Sequence, residues 1–244
     1  MKKEGKNLYT AFIDLRKAYD SVERKLLFNK LWSLGFEGKF FQSLLAMYKS
    51  VYQSVKLNGM LLEPIPATRG LKQGCNLSPL LFNLFIEDIN LQFSGECDQV
   101  NVDGMNFSHL LYADDLILLS STPSGLQTCL EKVESYFSKW DLTMNLKKSN
   151  IMVFNKTGKI PKNLTFHVAN EIMEVTNRYK YLGTLMSSSG SYNPAIEQLS
   201  EKASKAYFAV RNVLQKVDFD TNITLKIFDT ALQPILTYNS EIWS

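Results

Sequence analysis

The chain has 244 residues, 45% of them hydrophobic and 12% aromatic, which suits one or two folded domains and excludes a disordered segment. No apolar run approaches the roughly 18 residues of a membrane helix, and no apolar stretch of signal-peptide length precedes the first strand, so the sequence predicts an intracellular protein, nuclear or cytoplasmic, that is neither secreted nor membrane-bound. Net charge is only +3, and the three cysteines, Cys75, Cys97 and Cys129, lack metal-type spacing and fit a reducing compartment.

The pattern predicts a strand over residues 9–15 that ends at Asp14. Ser21 is placed to cap a helix with Val22, Leu26, Leu27 and Leu31 inward, stopped by Gly35. A second helix is predicted over about 37–50. Asn58-Gly59, between Ser54–Leu57 and Met60–Leu62, reads as a two-residue hairpin. Ser78-Pro79 opens a helix running to about Leu91. Residues 107–121 read as a hairpin with Asp114 and Asp115 at its turn. Thr122-Pro123 begins a helix whose stripe is Leu126, Leu130, Val133, Phe137 and Trp140. Strands are expected near 151–154, 163–168 and 171–175. After Ser187–Ser191 come two helical patterns, about 194–216 and 221–240, the second kinked or ended by Pro234. Irregular mixing of strand and helix predicts an α+β fold with an antiparallel sheet.

The run Leu110-Leu-Tyr-Ala-Asp-Asp-Leu-Ile-Leu-Leu119 places two adjacent acids among apolar residues, and Ala11-Phe-Ile-Asp-Leu15 repeats the arrangement with Asp14. An unpaired buried carboxylate costs several kcal/mol, so such acids call for a cation. Asp14 and Asp114, with Asp115 third because adjacent strand residues face opposite ways, are therefore candidate ligands for divalent metal; strands with acids at their exposed ends remain the plainer alternative. Charge is also uneven: residues 139–180 carry eight Lys or Arg against three acids, whereas residues 51–138 carry four against ten.

These motifs carry a resemblance. Phe12-Ile-Asp-Leu-Arg-Lys-Ala-Tyr-Asp-Ser-Val22 resembles motif A of reverse transcriptases, Arg69-Gly-Leu-Lys-Gln-Gly-Cys-Asn-Leu-Ser-Pro79 motif B, and Tyr112-Ala-Asp-Asp115 motif C. Asn145-Leu-Lys-Lys-Ser149 is similar to motif D and Tyr181-Leu-Gly183 to motif E. The order and extent most resemble the reverse transcriptases of LINE-type, non-LTR retrotransposons.

The resemblance implies an RNA-directed DNA polymerase, a nucleotidyltransferase that joins a deoxynucleoside triphosphate to a DNA primer on an RNA template. It implies two Mg2+ ions, replaceable by Mn2+, held by Asp14, Asp114 and Asp115. Tyr19 would pack under the incoming sugar and exclude a 2′-hydroxyl. Gln73 would lie near nucleotide and template, and Gly74 would allow close backbone approach. Lys148 would give a proton or charge to departing pyrophosphate, and Asp20, Arg69 and Tyr112 are supports. Residues 1–190 would form the palm with partial fingers elements, and 191–244 a helical thumb.

Two features depart from the family. Only Lys2, Lys3 and Lys6 precede the first strand, so the fingers segment and the endonuclease domain are expected to be missing and activity of the isolated chain to be weak or absent. Cys75-Asn76 also stands where Asp-Pro or Cys-Pro is usual. The competing expectation is a non-catalytic remnant that binds nucleic acid or protein.

Overall fold

The computed structural model describes residues 5–93, 97–215 and 220–243; Lys2 and Lys3 lie outside the described residues. The chain divides into two compact units, residues 8–151 with 163–175, and residues 1–7 and 152–162 with 176–244.

The first unit is built on β1 (Leu8–Ile13), which leads into the short helix α1 (Ala18–Ser21) and then α2 (Arg24–Ser33) and α3 (Gly38–Lys49). A ribbon of short strands follows, β2 (Tyr52–Gln53), β3 (Lys56–Leu57), β4 (Met60–Leu61) and β5 (Ile65–Pro66). Helix α4 (Ser78–Ile86) continues as a 3-10 stretch, Glu87–Phe93. Then come β6 (Val100–Val102), β7 (Met105–Phe107), β8 (His109–Tyr112), β9 (Asp115–Ser120) and helix α5 (Pro123–Lys139). Next are β10 (Asn150–Phe154), β11 (His167–Val168), β12 (Glu171–Ile172) and β13 (Val175–Thr176). The sheet order is β13-β10-β1-β9-β8, with β1 and β8 each antiparallel to β9. The α+β expectation therefore holds.

Period-two alternation sorts the buried strand residues between two faces, Phe12 and Ile117 on one and the main core on the other. Ala11 and Ile13 on β1 and Leu116 and Leu118 on β9 are buried with Leu27 and Leu31 of α2, Phe82 and Phe85 of α4, and Leu126, Leu130 and Val133 of α5. Each such side chain withdrawn from water contributes about 1.5–3 kcal/mol. The ribbon is the opposite case, with Leu57, Met60, Leu61 and Ile65 exposed. Its tip is the expected hairpin: Asn58 and Gly59 both have positive φ, 48° and 86°, as a two-residue turn between right-twisted strands requires.

Several boundaries differ from expectation. Ser21 caps nothing; it ends α1, and its hydroxyl donates to the Ala18 carbonyl. The cap of α2 is Glu23, whose carboxylate accepts from the Lys25 amide. The helix from Ser78 tightens to 3-10 geometry from Glu87. The strand expected over 163–168 is confined to 167–168; Asn163 is left-handed. The β6–β7 hairpin was not anticipated, although Asp103-Gly104, at φ 51° and 84°, is a turn signal of the same kind as Asn58-Gly59.

Two buried cations tie the helices down. The Arg24 guanidinium donates to the carbonyls of Ala67, Arg69 and Gly70 (Nε to Gly70, 2.8 Å) and lies 5.2 Å from the Tyr48 ring centre. The Lys30 ammonium pairs with Asp88 and the Phe85 carbonyl over the Trp140 ring. Burial lowers the Lys30 pKa, and the bond and charge of Asp88 oppose that shift.

In the second unit, β14 (Arg178–Tyr181) and β15 (Thr184–Ser187) form a hairpin followed by α6 (Asn193–Leu214), α7 (Thr221–Ala231), α8 (Gln233–Leu236) and α9 (Ser240–Trp243). Leu182 and Gly183 make its turn, and a Cβ on Gly183 would meet the Tyr238 hydroxyl at 2.7 Å. That hydroxyl donates to the Leu182 carbonyl at 2.9 Å. Compactness thus groups residues 176–190 with the helices that follow, because β15 packs on α6 and Tyr238 grips the hairpin turn. Pro234 falls in the first turn of α8, and α7 ends ahead of it, as its missing N–H demands.

Two predictions follow from this packing. A Cβ at Gly70 would sit 2.9 Å from the Asp20 carbonyl oxygen at φ +83°, whereas one at Gly74, φ +79°, would meet nothing within 4 Å. Gly70→Ala should therefore cost about 2–3 kcal/mol, strain plus collision, and Gly74→Ala about 1 kcal/mol of strain alone, measured by urea unfolding. Equal losses would mean the Asp20 backbone yields freely.

The Asp98 carboxylate accepts bonds from the Ser120, Ser121 and Thr122 hydroxyls and the Ser121 amide ahead of α5. Burial alone would raise its pKa, but the bonds from Ser121, Ser120 and Thr122 outweigh burial and hold it below the ordinary value. Its contribution is therefore present above the unfolded carboxyl pKa of about 3.9 and lost as pH falls through the lower folded value. Asp98→Asn should unfold at lower urea than the parent at pH 7, with the difference closing in that acid window.

Candidate active site

The acids sit where the apolar pairing of β1 and β9 stops. The last pair is Ile13 with Leu116, and the register continued by one residue sets Asp14 across from Asp115. Cross-strand partners share a face. Ile13 and Leu116 point into the core, so Asp14 and Asp115 occupy the other face, and Tyr112 joins them as the β8 partner of Asp115. Asp114 is not in a strand: with Ala113, at φ 52°, it forms the two-residue turn between β8 and β9. The alternation that set Asp115 apart from Asp114 therefore does not apply.

Electrostatics agree with this placement. Burial raises the Asp115 pKa, and the negative charges of Asp114 and then Asp14 raise it further. Burial also raises the Tyr19 hydroxyl, followed by the charge of Asp114. Hard oxygen donors in a shared negative field suit a divalent cation such as Mg2+. They do not form a closed cage. Among the described residues no three His, Cys, Asp or Glu are grouped closely enough to hold an ion between them. Mg2+ does not need a closed cage, because it ordinarily completes its shell with water and substrate phosphate.

Tyr19 stacks on Phe82 with ring centres 5.0 Å apart. With Lys72, Gln73, Gly74, Cys75, Asn76, Ser78 and Pro79 it lines a cavity of about 450 Å³. The loop that forms the rest of this wall is stitched to α1: Leu71 N–H donates to the Tyr19 carbonyl at 2.8 Å, and Gly70 N–H to that of Val22 at 2.9 Å. Gln73 Nε2 donates to Asp20 Oδ1 at 2.9 Å. Within the protein, close backbone approach occurs at Gly70, whereas Gly74 makes a left-handed turn and a Cβ there would meet open space. The Ser78 hydroxyl closes the loop on the Lys72 carbonyl at 2.6 Å. Arg69 reaches the Ser21 carbonyl and Asp141.

Residues 143–149 run beside the exit of β1. Leu15 bridges Met144, and Arg16 N–H donates to the Thr143 carbonyl at 2.8 Å. Asn145 Nδ2 donates to Asp14 Oδ2 at 3.0 Å, and Asp14 N–H donates to the buried Ser149 hydroxyl at 2.9 Å. Lys148 is exposed on the turn that these residues close. Sequence reasoning named neither Asn145 nor Ser149 as a site residue, nor Arg24 as the anchor of the motif B segment; the Asn-x-x-x-Ser pattern inside motif D was the available signal.

Comparison with known proteins agrees with this arrangement. The family model described as reverse transcriptase (RNA-dependent DNA polymerase) matches residues 1–186. The Retrovirus-related Pol polyprotein from type-1 retrotransposable element R2 of Nasonia vitripennis is 31% identical over 198 residues, covering 76% of this chain and 19% of that protein. One from Popillia japonica is 25% identical over 242 residues, 96% of this chain and 39% of that protein. The type-2 element R2DM polyprotein of Drosophila melanogaster is 27% identical over 230 residues, 87% and 22%. This chain spans well under half the length of each. Apo telomerase from Candida tropicalis, truncated from its C-terminal domain, shares the fold with a TM-score of 0.51 at 14% identity, over 76% of this chain and 35% of that one. With its motifs A to D gathered on one unit and three quarters of its length matched by the family model, the chain belongs to the reverse transcriptase family.

Proposed function

We propose that this chain is the polymerase core of a retrotransposon reverse transcriptase, extending a DNA primer with deoxynucleoside triphosphates on an RNA template. The observation that carries the reading is the register of β1 on β9, which sets Asp14 across from Asp115 beside the Asp114 turn. Residues 1–190 would act as palm, with α2, α3 and the β2–β5 ribbon as fingers elements, and residues 191–244 as thumb. No helix among the described residues is long and apolar enough to cross a membrane.

Asp14, Asp114 and Asp115 would hold Mg2+ or Mn2+, which when bound neutralises charge on the reacting phosphate and on the attacking and leaving oxygens. The protein's share is positioning. Tyr19, backed by Phe82, forms a rigid floor that a ribose 2′-hydroxyl would strike. Gln73 is held by Asp20 at the rim of the same cavity, where a nucleotide base and its template partner would lie. Lys148 would offer a proton or charge to pyrophosphate as it leaves. The exposed basic residues Lys156, Lys159, Lys162, Arg178 and Lys180 would run along the nucleic-acid backbone, giving salt-sensitive binding.

Mass action supplies the test. Mn2+ or Mg2+ should raise the Tm of the purified chain, and Asp114→Asn should remove most of that rise. Primer extension on an RNA template, where present, should disappear in Asp14→Asn. An undiminished metal-induced rise in Asp114→Asn would place the ions elsewhere and sink the reading.

A further inference from the structure

Asp14 is gripped at both ends of its backbone and at its carboxylate by one short segment. Asn145 N–H donates to the Asp14 carbonyl at 2.8 Å, and Asn145 Nδ2 to Asp14 Oδ2 at 3.0 Å. Ser149, fully buried, accepts the Asp14 N–H. The Asn145 carbonyl in turn accepts the amides of Lys148 at 3.0 Å and Ser149 at 2.9 Å. One residue therefore orients the acid and closes the turn that displays the lysine.

We infer that Asn145 is the positioning residue of this site, with Ser149 as its backbone support, and that it couples the Asp14 carboxylate to the turn of Lys148. This rests on the polymerase reading of Asp14. The chemistry requires such a device. Asp14 is the first residue beyond the five pairs of β1 with β9, so the register sets its face but not the rotation of its carboxylate. A carboxylate rotates freely about its last bond. A donor on Oδ2 fixes that rotation, as a metal ligand must be held before metal arrives. Because the Lys148 turn hangs on the same asparagine, displacement of residues 145–149 would move the acid and the lysine together.

The test uses the whole 244-residue chain with Asn145→Ala and Asn145→Asp. The second keeps the shape and the backbone N–H but replaces the amide donor with an oxygen that repels Asp14. In the metal-free proteins, the Tm loss of Asn145→Ala should shrink by half or more when Asp14 is also changed to Ala, because the two side chains then have no bond to lose. Both Asn145 variants should lower the Mn2+-induced Tm rise to less than half of the parent's. In extension assays kcat should fall by about tenfold or more with the nucleotide KM within about twofold, the signature of lost alignment rather than lost binding. Additive Tm losses in the cycle would overturn the clamp. A parental Mn2+ response in both Asn145 variants would overturn its part in the metal site. Asp14→Ala alone reports on the underlying reading: an unchanged Mn2+ rise there would fail that reading, while the metal-free cycle still decides the clamp.

Discussion

The site depends on the antiparallel register of β1 on β9. Five consecutive pairs, from Tyr9 with Ser120 to Ile13 with Leu116, fix it. A slip of one residue would exchange Ala11, Ile13, Leu116 and Leu118 of the main core with Phe12 and Ile117, which are buried on the other face, and neither set is shaped for the other's place. The cost of repacking both faces is what holds Asp14 across from Asp115, two residues that the chain itself leaves far apart. The placement of the acids is a by-product of apolar burial along the same strands.

Around that sheet, polar groups with no helix or ladder to join are satisfied by long side chains. The carbonyls of Ala67, Arg69 and Gly70 would be stranded between elements; Arg24 takes all three, which fixes the start of the motif B loop relative to α2. Lys30 does the same for the end of α4, at the Phe85 carbonyl and Asp88. Such cations contribute less through charge than by leaving no buried acceptor bare. Through them the helical layer sets the floor under Tyr19: Arg24 holds Gly70, Gly70 packs on Asp20, and Asp20 holds Gln73.

Much of this was legible in the sequence because the informative signals were local. Asn58-Gly59 declared its turn, the Leu126–Phe137 stripe declared α5, and the acid-bearing apolar runs declared the strands. Ser21 misled because a cap residue is recognised by type, and the chain instead spends Ala18–Ser21 on a separate turn of helix and begins α2 at Glu23. Arg24 and Lys30 fall outside the predicted apolar stripe of α2, and only their partners, more than forty positions away, bury them. Asn145 and Asp14 lie 131 positions apart, and no periodicity relates them. Asp103-Gly104 was a local signal of the same kind as Asn58-Gly59, with Val100-Asn-Val102 and Met105-Asn-Phe107 alternating on either side, and its hairpin went unread because each strand is only three residues long.

The acid-bearing end of the sheet is also where its internal consistency breaks. Ala113 takes a left-handed conformation that a side chain with a Cβ resists, and Asp115 is partly desolvated in the field of two other acids. Neither feature helps the fold. Both are tolerated because the five pairs from Tyr9 to Ile13, most of them between buried residues, over-determine the strands that carry them. A bound cation would remove the repulsion but not the need for direction, since attraction to a metal is nearly isotropic and an unrestrained carboxylate could satisfy it in several orientations. The bond from Asn145 to Asp14 supplies direction without adding charge, a role that a lysine or arginine in its place could not fill: either would pair with the charge of the acid.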